Sequence, residues 1–257
     1  MSADRYAVIG HPVEHSRSPW IHARFAQLTG QAVAYDKLLA PLDGFESTVQ
    51  SFRAQGGRGC NVTVPFKFQA AALATERSAR ATLAGACNTL RFDGERIHGD
   101  NTDGVGLVRD IEVHAGVALA GTDVLLVGAG GAAAGVLGPL LAAGPRRVVI
   151  ANRTADKAQS LVQSHAAWAA AQQAELACAP LHGIPGSFDV VVNATASSLG
   201  GGGVPVPGTV LRPRALACDM MYGAAAAGFL AWARDHGASG RVGVEAVDAD
   251  IEGDRIG

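Results

Sequence analysis

Apolar positions along the chain fall in short runs, separated by alanine-rich stretches whose apolar and polar residues alternate at helical spacing. Tyr6-Ile9 reads as a strand, Ser18-Leu28 as a helix, Val33-Leu39 as a strand, Leu42-Gln55 as a helix and Gly59-Val64 as a strand. This β-α-β-α-β rhythm predicts a mainly parallel sheet with helices on its faces, because parallel strands need helical crossovers. Pro19 suits the first turn of its helix, with Ser18 expected as the N-cap. The rhythm restarts at Asp123-Val127 and continues through Arg147-Ala151 and Asp189-Val192 to Ala217-Met221. Two α/β units are therefore expected, with a boundary near Asp103 and a helical stretch, Leu107-Ala115, carrying the chain onward. Ala166-Ala171 reads as helix and Gly200-Gly203 as a flexible loop.

A chain of 257 residues is long enough for two modest cores, which agrees with that division. The formal net charge of -2 is small and neither sign is blocked along the chain, so neither nucleic acid nor a membrane surface is expected as a partner. The start, Met1-Ser2-Ala3-Asp4-Arg5-Tyr6, has no basic segment followed by an apolar one, and no apolar run reaches the length of a membrane span. A soluble cytoplasmic protein is the expectation. Cys60, Cys87, Cys178 and Cys218 are far apart and form no C-x-x-C pair, so buried reduced thiols are expected rather than a disulfide or metal site.

The chemistry begins where Asp123-Val127 runs into Gly128-Ala129-Gly130-Gly131-Ala132-Ala133 and a helical stretch follows. This is G-x-G-x-x-A in the strand-turn-helix setting that a dinucleotide site requires. Gly128 permits the tight turn, Gly130 lets the backbone approach a pyrophosphate, and Ala133 keeps helix and strand close. The next strand ends in Asn152-Arg153-Thr154, where an NAD site would carry an acid for the ribose hydroxyls. Arg153 can instead grip a 2′-phosphate, and Lys157 would add a second positive charge on the same helix face. NADP is the expected cofactor.

A dinucleotide fold hosts many chemistries, so the first unit has to identify the substrate. Four of its segments carry that information: His15-Ser16-Arg17-Ser18-Pro19, Asn61-Val62-Thr63-Val64-Pro65-Phe66-Lys67, Gly85-Ala86-Cys87-Asn88-Thr89 and Gly99-Asp100-Asn101-Thr102-Asp103-Gly104. With the glycine loop, Asn152-Arg153-Thr154 and Asp219-Met220-Met221-Tyr222, in this order, they closely resemble the shikimate dehydrogenase family. The resemblance spans roughly residues 5 to 238. It implies an NADP-dependent oxidoreductase of aromatic amino acid and chorismate biosynthesis that reversibly reduces 3-dehydroshikimate to shikimate. Residues 1–103 would then form the substrate-binding and catalytic domain, 104–238 the NADP-binding Rossmann domain, and 239–257 an atypical tail.

Carried over by position, Ser16 and Ser18 would bind the substrate carboxylate with help from Tyr222, and Thr63, Asn88 and Asp103 would hold the ring hydroxyls. Lys67 and Asp103 would act as a coupled acid/base pair. Gly128, Ala129, Gly130, Gly131, Ala132, Asn152, Arg153, Thr154, Lys157 and Met220 would meet the cofactor, with Met220 near the nicotinamide. These roles are physically sensible. Two hydroxyls just before a helix can converge on a carboxylate, and hydride transfer to a ketone leaves an alkoxide that needs a proton. Asn88 and Asn101 suit a polyol, although either could stabilise a turn. Asn193-Ala194-Thr195 is either a strand-end turn or a cofactor contact. His11, His15 and His22 lack an acidic or cysteine ligand to complete a metal set, so no metal is expected.

After Ser239 the family pattern is lost. The family ends in a glutamine-bearing helix, whereas residues 240–257 here are acidic and rich in Val and Gly. A truncated or frame-altered tail would explain this, with weaker substrate binding or lost activity as the expected result. Two rival readings follow: a quinate/shikimate dehydrogenase with relaxed cofactor choice, against which Asn152-Arg153-Thr154 argues, and a dinucleotide-binding protein without turnover. A monomer or homodimer is expected.

Overall fold

The computed structural model describes residues 3–197 and 203–242, which divide into two compact units, Met1–Thr102 and Asp103–Gly257. In the first unit the elements run β1 (Asp4–Gly10), α1 (Ser18–Thr29), β2 (Val33–Leu39), α2 (Phe45–Ala54), β3 (Gly57–Val62), α3 (Lys67–Leu73), β4 (Glu76–Arg77), α4 (Ala79–Ala84), β5 (Thr89–Asp93) and β6 (Arg96–Asp100). Their sheet has the order β2-β1-β3-β5-β6-β4. β1 pairs parallel with β2 and β3, and β4 pairs parallel with β6, as the crossovers predict. The hairpin of β5 and β6 adds two antiparallel ladders that the helical rhythm did not announce.

α1 begins at Ser18, one residue earlier than a Ser18 cap allows, and Arg17 occupies the cap without a side-chain bond. Ser16 takes over part of that task, since its Oγ accepts from the Ser18 N–H at 3.3 Å. The core of this unit gathers Ile9, Val49, Cys60, Val62, Phe66, Leu90 and Ile97, with Phe45 and Phe66 stacked at 4.9 Å between ring centres.

The second unit runs α5 (Asp103–Arg109), a π-helical turn at Asp110–His114, β7 (Asp123–Val127), α6 (Gly131–Ala142), β8 (Arg147–Asn152), α7 (Ala155–Ala171), β9 (Glu175–Pro180), β10 (Phe188–Asn193), β11 (Leu211–Asp219), α8 (Ala227–Asp235) and β12 (Ser239–Val242). The order is β12-β11-β10-β7-β8-β9 and every ladder is parallel. All five residues of β7 are buried, so its unbroken apolar run reflects helices on both faces. Full burial of a side chain such as Leu125 or Leu126 stabilises the unit by about 1.5–3 kcal/mol.

Several expectations change here. The helix expected from Leu107 starts at Asp103 itself. β9 and β12 are not among the expected strands: β12 carries no apolar run, and β9, apolar from Leu176 to Pro180, lies at the edge of the sheet with no fully buried residue. Cys178, expected to be buried, is exposed on β9, whereas the other three cysteines are buried and none of the four forms a disulfide. Burial pushes the Cys60 thiol up to about 12 and the Cys87 thiol up to about 11, which leaves both inert as nucleophiles at neutral pH. Gly240, Arg241 and Val242, the first residues of the stretch that departs from the family pattern, belong to the parallel edge strand β12. Arg241 on that strand grips Asp110 through two bonds of 2.7 and 2.6 Å. Residues 243–257, and Gly200 to Gly202 of the expected loop, lie outside the described residues.

Candidate active site

In the first unit Ser16, Ser18, Thr63 and Lys67 follow the ends of the parallel strands β1 and β3, and Asn88 immediately precedes the antiparallel β5. The loops leaving β1 and β3 are tied together by the Thr63 N–H to the Ile9 carbonyl and the His11 N–H to the Val64 carbonyl, both at 2.9 Å. Ser16 is almost buried, and its Oγ donates to the Ser18 Oγ at 3.1 Å, so the two expected carboxylate ligands do converge at the start of α1. Thr63 follows β3, and its carbonyl accepts from the Phe66 N–H at 3.0 Å, closing the turn that delivers Lys67. Lys67 is half-buried, opens α3, and accepts on its carbonyl from the Cys87 N–H at 2.8 Å. Asn88 is held by Thr102: its Oδ1 accepts from the Thr102 N–H at 3.0 Å and its Nδ2 donates to the Thr102 Oγ1 at 2.9 Å.

The segment leading to Thr102 is pinned from behind. Asp100 Oδ1 accepts from Ser78 Oγ at 2.5 Å and from Arg80 Nε at 2.8 Å. Burial alone would raise the Asp100 carboxyl, but the Arg80 and Ser78 bonds hold it below the usual carboxylate range. Asn101 is buried and donates to the Ala86 carbonyl at 2.9 Å, which fits the turn-stabilising alternative.

Sequence reasoning assigned no role to Asn61 or Tyr35. The Tyr35 hydroxyl donates to Asn61 Oδ1 at 2.5 Å, and Asn61 Nδ2 donates to Thr89 Oγ1 at 3.2 Å. His22 stacks on Tyr35 at 4.1 Å with planes 6° apart. Burial lowers His22 and raises the Tyr35 phenol, so both are neutral at pH 7. Asn61 opens the quoted Asn61-Lys67 segment and could have been weighed there; nothing local marks Tyr35. His11 Nδ1 lies 2.8 Å from the Ala40 carbonyl, and the described residues contain no group of three or more His, Cys, Asp or Glu side chains gathered as metal ligands.

In the second unit the glycine loop leaves β7 with its Gly128 N–H donating to the Ala151 carbonyl at 2.8 Å. Gly128 has φ +112°, and a Cβ there would come within 3.1 Å of the Ala194 main chain. A Cβ on Gly130 would meet no atom within 4 Å, which leaves open room in front of the helix it caps. Gly130 provides no side-chain cap to α6, so the first N–H groups of that helix are available to an anion. These features fit a dinucleotide pyrophosphate. Ala133 is fully buried under the loop, as expected.

Asn152 ends β8 and donates to the Thr154 carbonyl at 2.8 Å, while Arg153, Thr154 and Lys157 are exposed. Arg153 and Lys157 do not share a helix face as expected, because α7 starts only at Ala155 with Thr154 as its cap. Arg153 therefore stands in the turn before the helix and Lys157 in its first turn, still an arrangement able to meet a phosphate. Met220 and Tyr222, after β11, are half-buried. Asp103 opens α5 at the start of this unit.

Comparison with known proteins completes the picture. Residues 8–90 match the family described as "Shikimate dehydrogenase substrate binding domain", and residues 112–199 match "Shikimate / quinate 5-dehydrogenase". The chain is 65% identical over 243 residues to the shikimate dehydrogenase (NADP(+)) of Acidovorax sp. (strain JS42), an alignment covering 95% of this chain and 86% of that one. It is 63% identical over 247 residues to the protein of the same name from Methylibium petroleiphilum, covering 94% and 84% of the two chains. Among solved structures, an Ael1 enzyme from Pseudomonas putida superposes with a TM-score of 0.81 at 43% identity, covering 98% of this chain and 94% of its own. A shikimate 5-dehydrogenase from Thermus thermophilus, in complex with NADP(H) and shikimate, superposes with a TM-score of 0.79 at 28% identity, covering 97% and 94%.

Proposed function

The chain belongs to the shikimate dehydrogenase family, and on that premise we propose how its residues divide the labour of the reaction. It catalyses the reversible, NADPH-dependent reduction of 3-dehydroshikimate to shikimate, a step of chorismate and aromatic amino acid biosynthesis. NADPH, when bound, supplies the hydride.

Ser16 and Ser18, already in contact at 3.1 Å, take the substrate carboxylate, with Tyr222 as a further donor. Thr63, Asn88 and Asp103 orient the ring hydroxyls. Lys67, with Asp103 as its partner, hands a proton to the oxygen that becomes a hydroxyl and recovers it in the reverse direction. Gly128, Ala129, Gly130, Gly131 and Ala132 take the pyrophosphate. Asn152, Arg153, Thr154 and Lys157 take the adenosine 2′-phosphate, and Met220 lies at the nicotinamide. Residues 1–103 act as the substrate-binding and catalytic domain and 104–238 as the cofactor domain. The protein works in the cytoplasm as a monomer or homodimer; no helix among the described residues is long and apolar enough to cross a membrane.

The observation that carries this reading is the open room at Gly130 in front of the uncapped α6 N-terminus, with the Arg153 turn ending the neighbouring strand. Following NADPH absorbance with shikimate and NADP tests it, and running quinate and NAD in parallel tests the choice of substrate and cofactor. The expected result is turnover that is fastest with shikimate and NADP. No turnover in either direction would overturn the reading.

A further inference from the structure

The turn Asn193-Ala194-Thr195, left open above between strand-end turn and cofactor contact, is built around a buried polar pair. Asn193 ends β10 and Asp219 ends β11, opposite one another in register, and they are 3% and 1% exposed. Asp219 Oδ2 accepts from Asn193 Nδ2 at 3.2 Å, and its Oδ1 accepts from the Met221 N–H at 2.9 Å. Asn193 Oδ1 in turn accepts from the Thr195 N–H at 3.2 Å and from the Thr195 hydroxyl at 2.8 Å. The main chain ties the same turns to the sheet, with the Met220 N–H on the Asn193 carbonyl at 3.0 Å and the Ala194 N–H on the Val127 carbonyl at 2.8 Å.

One pair of side chains thus sets two turns, and the Ala194 main chain is the surface that Gly128 packs against. A carboxylate here is expensive. Burial pushes Asp219 above the usual carboxylate range, with the Met221 N–H and Asn193 offsetting only part of the effect. Two apolar residues would close these strand ends at lower cost, as Val192 and Cys218 do one position earlier. What they could not do is aim a hydroxyl. Thr195 Oγ1 is directed by Asn193 and stands 2.7 Å from Ser197 Oγ, which gives a pair of hydroxyls suited to phosphate or ribose oxygens.

We propose that Asn193 and Asp219 are positioning residues for NADP: acting through Thr195 and the Met220 turn, they hold the end of the sheet beside Gly128 in the form that binds the dinucleotide. This rests on the cofactor reading above. The test is calorimetric titration of NADP into the protein without substrate, together with the separate KM values for NADP and shikimate.

Asp219→Asn opposes two amide groups at the buried contact, so the Kd for NADP should rise about tenfold while KM for shikimate stays within about twofold. Exchanging the pair (Asn193→Asp with Asp219→Asn) restores donor against acceptor and should return the Kd to within about threefold of the parent. Thr195→Ala leaves the buried pair in place and should weaken NADP about fivefold, yet add nothing further to Asp219→Asn. An unchanged Kd in Thr195→Ala overturns the proposal whatever the buried variants do. Equal rises in both KM values, or an exchanged pair that folds but binds no better than Asp219→Asn, overturn it as well. A parent protein that binds no NADP would instead overturn the cofactor reading.

Discussion

In the second unit the dinucleotide pyrophosphate is proposed to meet main chain, at the glycine turn after β7 and the uncapped N-terminus of α6, and side chains such as Arg153 and Lys157 only at the 2′-phosphate. In the first unit the groups proposed to meet a ligand are side chains, Ser16, Ser18, Thr63, Lys67 and Asn88, each set by a hydrogen bond to its neighbours or by the turn that delivers it. The cores follow the same division. β7 is wholly buried and α6 buries eight of its twelve residues, whereas α1 buries none. A backbone-built site needs a rigid, crowded frame, since a shift of the strand moves every N–H at once. A side-chain-built site tolerates a looser frame, because each group is fixed locally.

The sharpest break between the two would come from Lys67→Ala, which should lower kcat by roughly 10²–10⁴ while leaving the Kd for NADP unchanged by calorimetry. A kcat within a few-fold of the parent would remove Lys67 from the chemistry. Gly128→Val should do the reverse. At φ +112° with the Ala194 main chain against the new side chain, strain of about 1–3 kcal/mol should appear as a lower melting temperature and a weaker Kd for NADP, with KM for shikimate spared. Next, Arg153→Ala should raise KM for NADP about tenfold or more and leave KM for NAD nearly unchanged; equal effects on the two cofactors would count against a 2′-phosphate at that turn. Asn88→Ala should raise KM for shikimate about tenfold without altering NADP binding.

The smallest effect concerns stability. At the end of the second sheet opposite the glycine loop, Asp123 is 2% exposed and takes bonds from Arg146, Arg147 and Arg212, while Asp189 pairs with Arg212. Burial would raise both carboxyls, but the arginines hold them below the usual range. Groups with depressed folded values contribute stability above their unfolded pKa, about 3.9, and lose it as pH falls through the folded value. Arg212→Gln should therefore move the midpoint of acid unfolding upward, by a few tenths of a pH unit at most, and leave kinetics at neutral pH alone. A midpoint that moved down would show the arginine to be a burden there.

How much of this could be read in advance depends on how local the signal is. The strand-turn-helix of the glycine loop is written in consecutive residues, so β7, Gly128 and Ala133 emerge from the sequence with their roles intact. The same holds for β2, where the apolar run and the observed strand coincide at Val33–Leu39. Ser18 was legible as a helix start but not as a residue already inside the helix, because the capping contact comes from Ser16. Cys178 looked buried because its neighbours resemble a central strand, and only sheet order shows that β9 is an edge.

By itself the sequence determined the two α/β rhythms and the glycine turn after β7, since each depends on spacing within a few residues, whereas the side chains proposed for the substrate rest on the family resemblance. The tertiary structure decided which distant polar groups meet: Tyr35 with Asn61, Asn193 with Asp219, and Asp110 with Arg241, 131 residues apart. Such pairs leave no periodic trace, because one hydrogen bond across a sheet end constrains a single residue on each side. A buried donor and acceptor find each other only once the strands that carry them are in register.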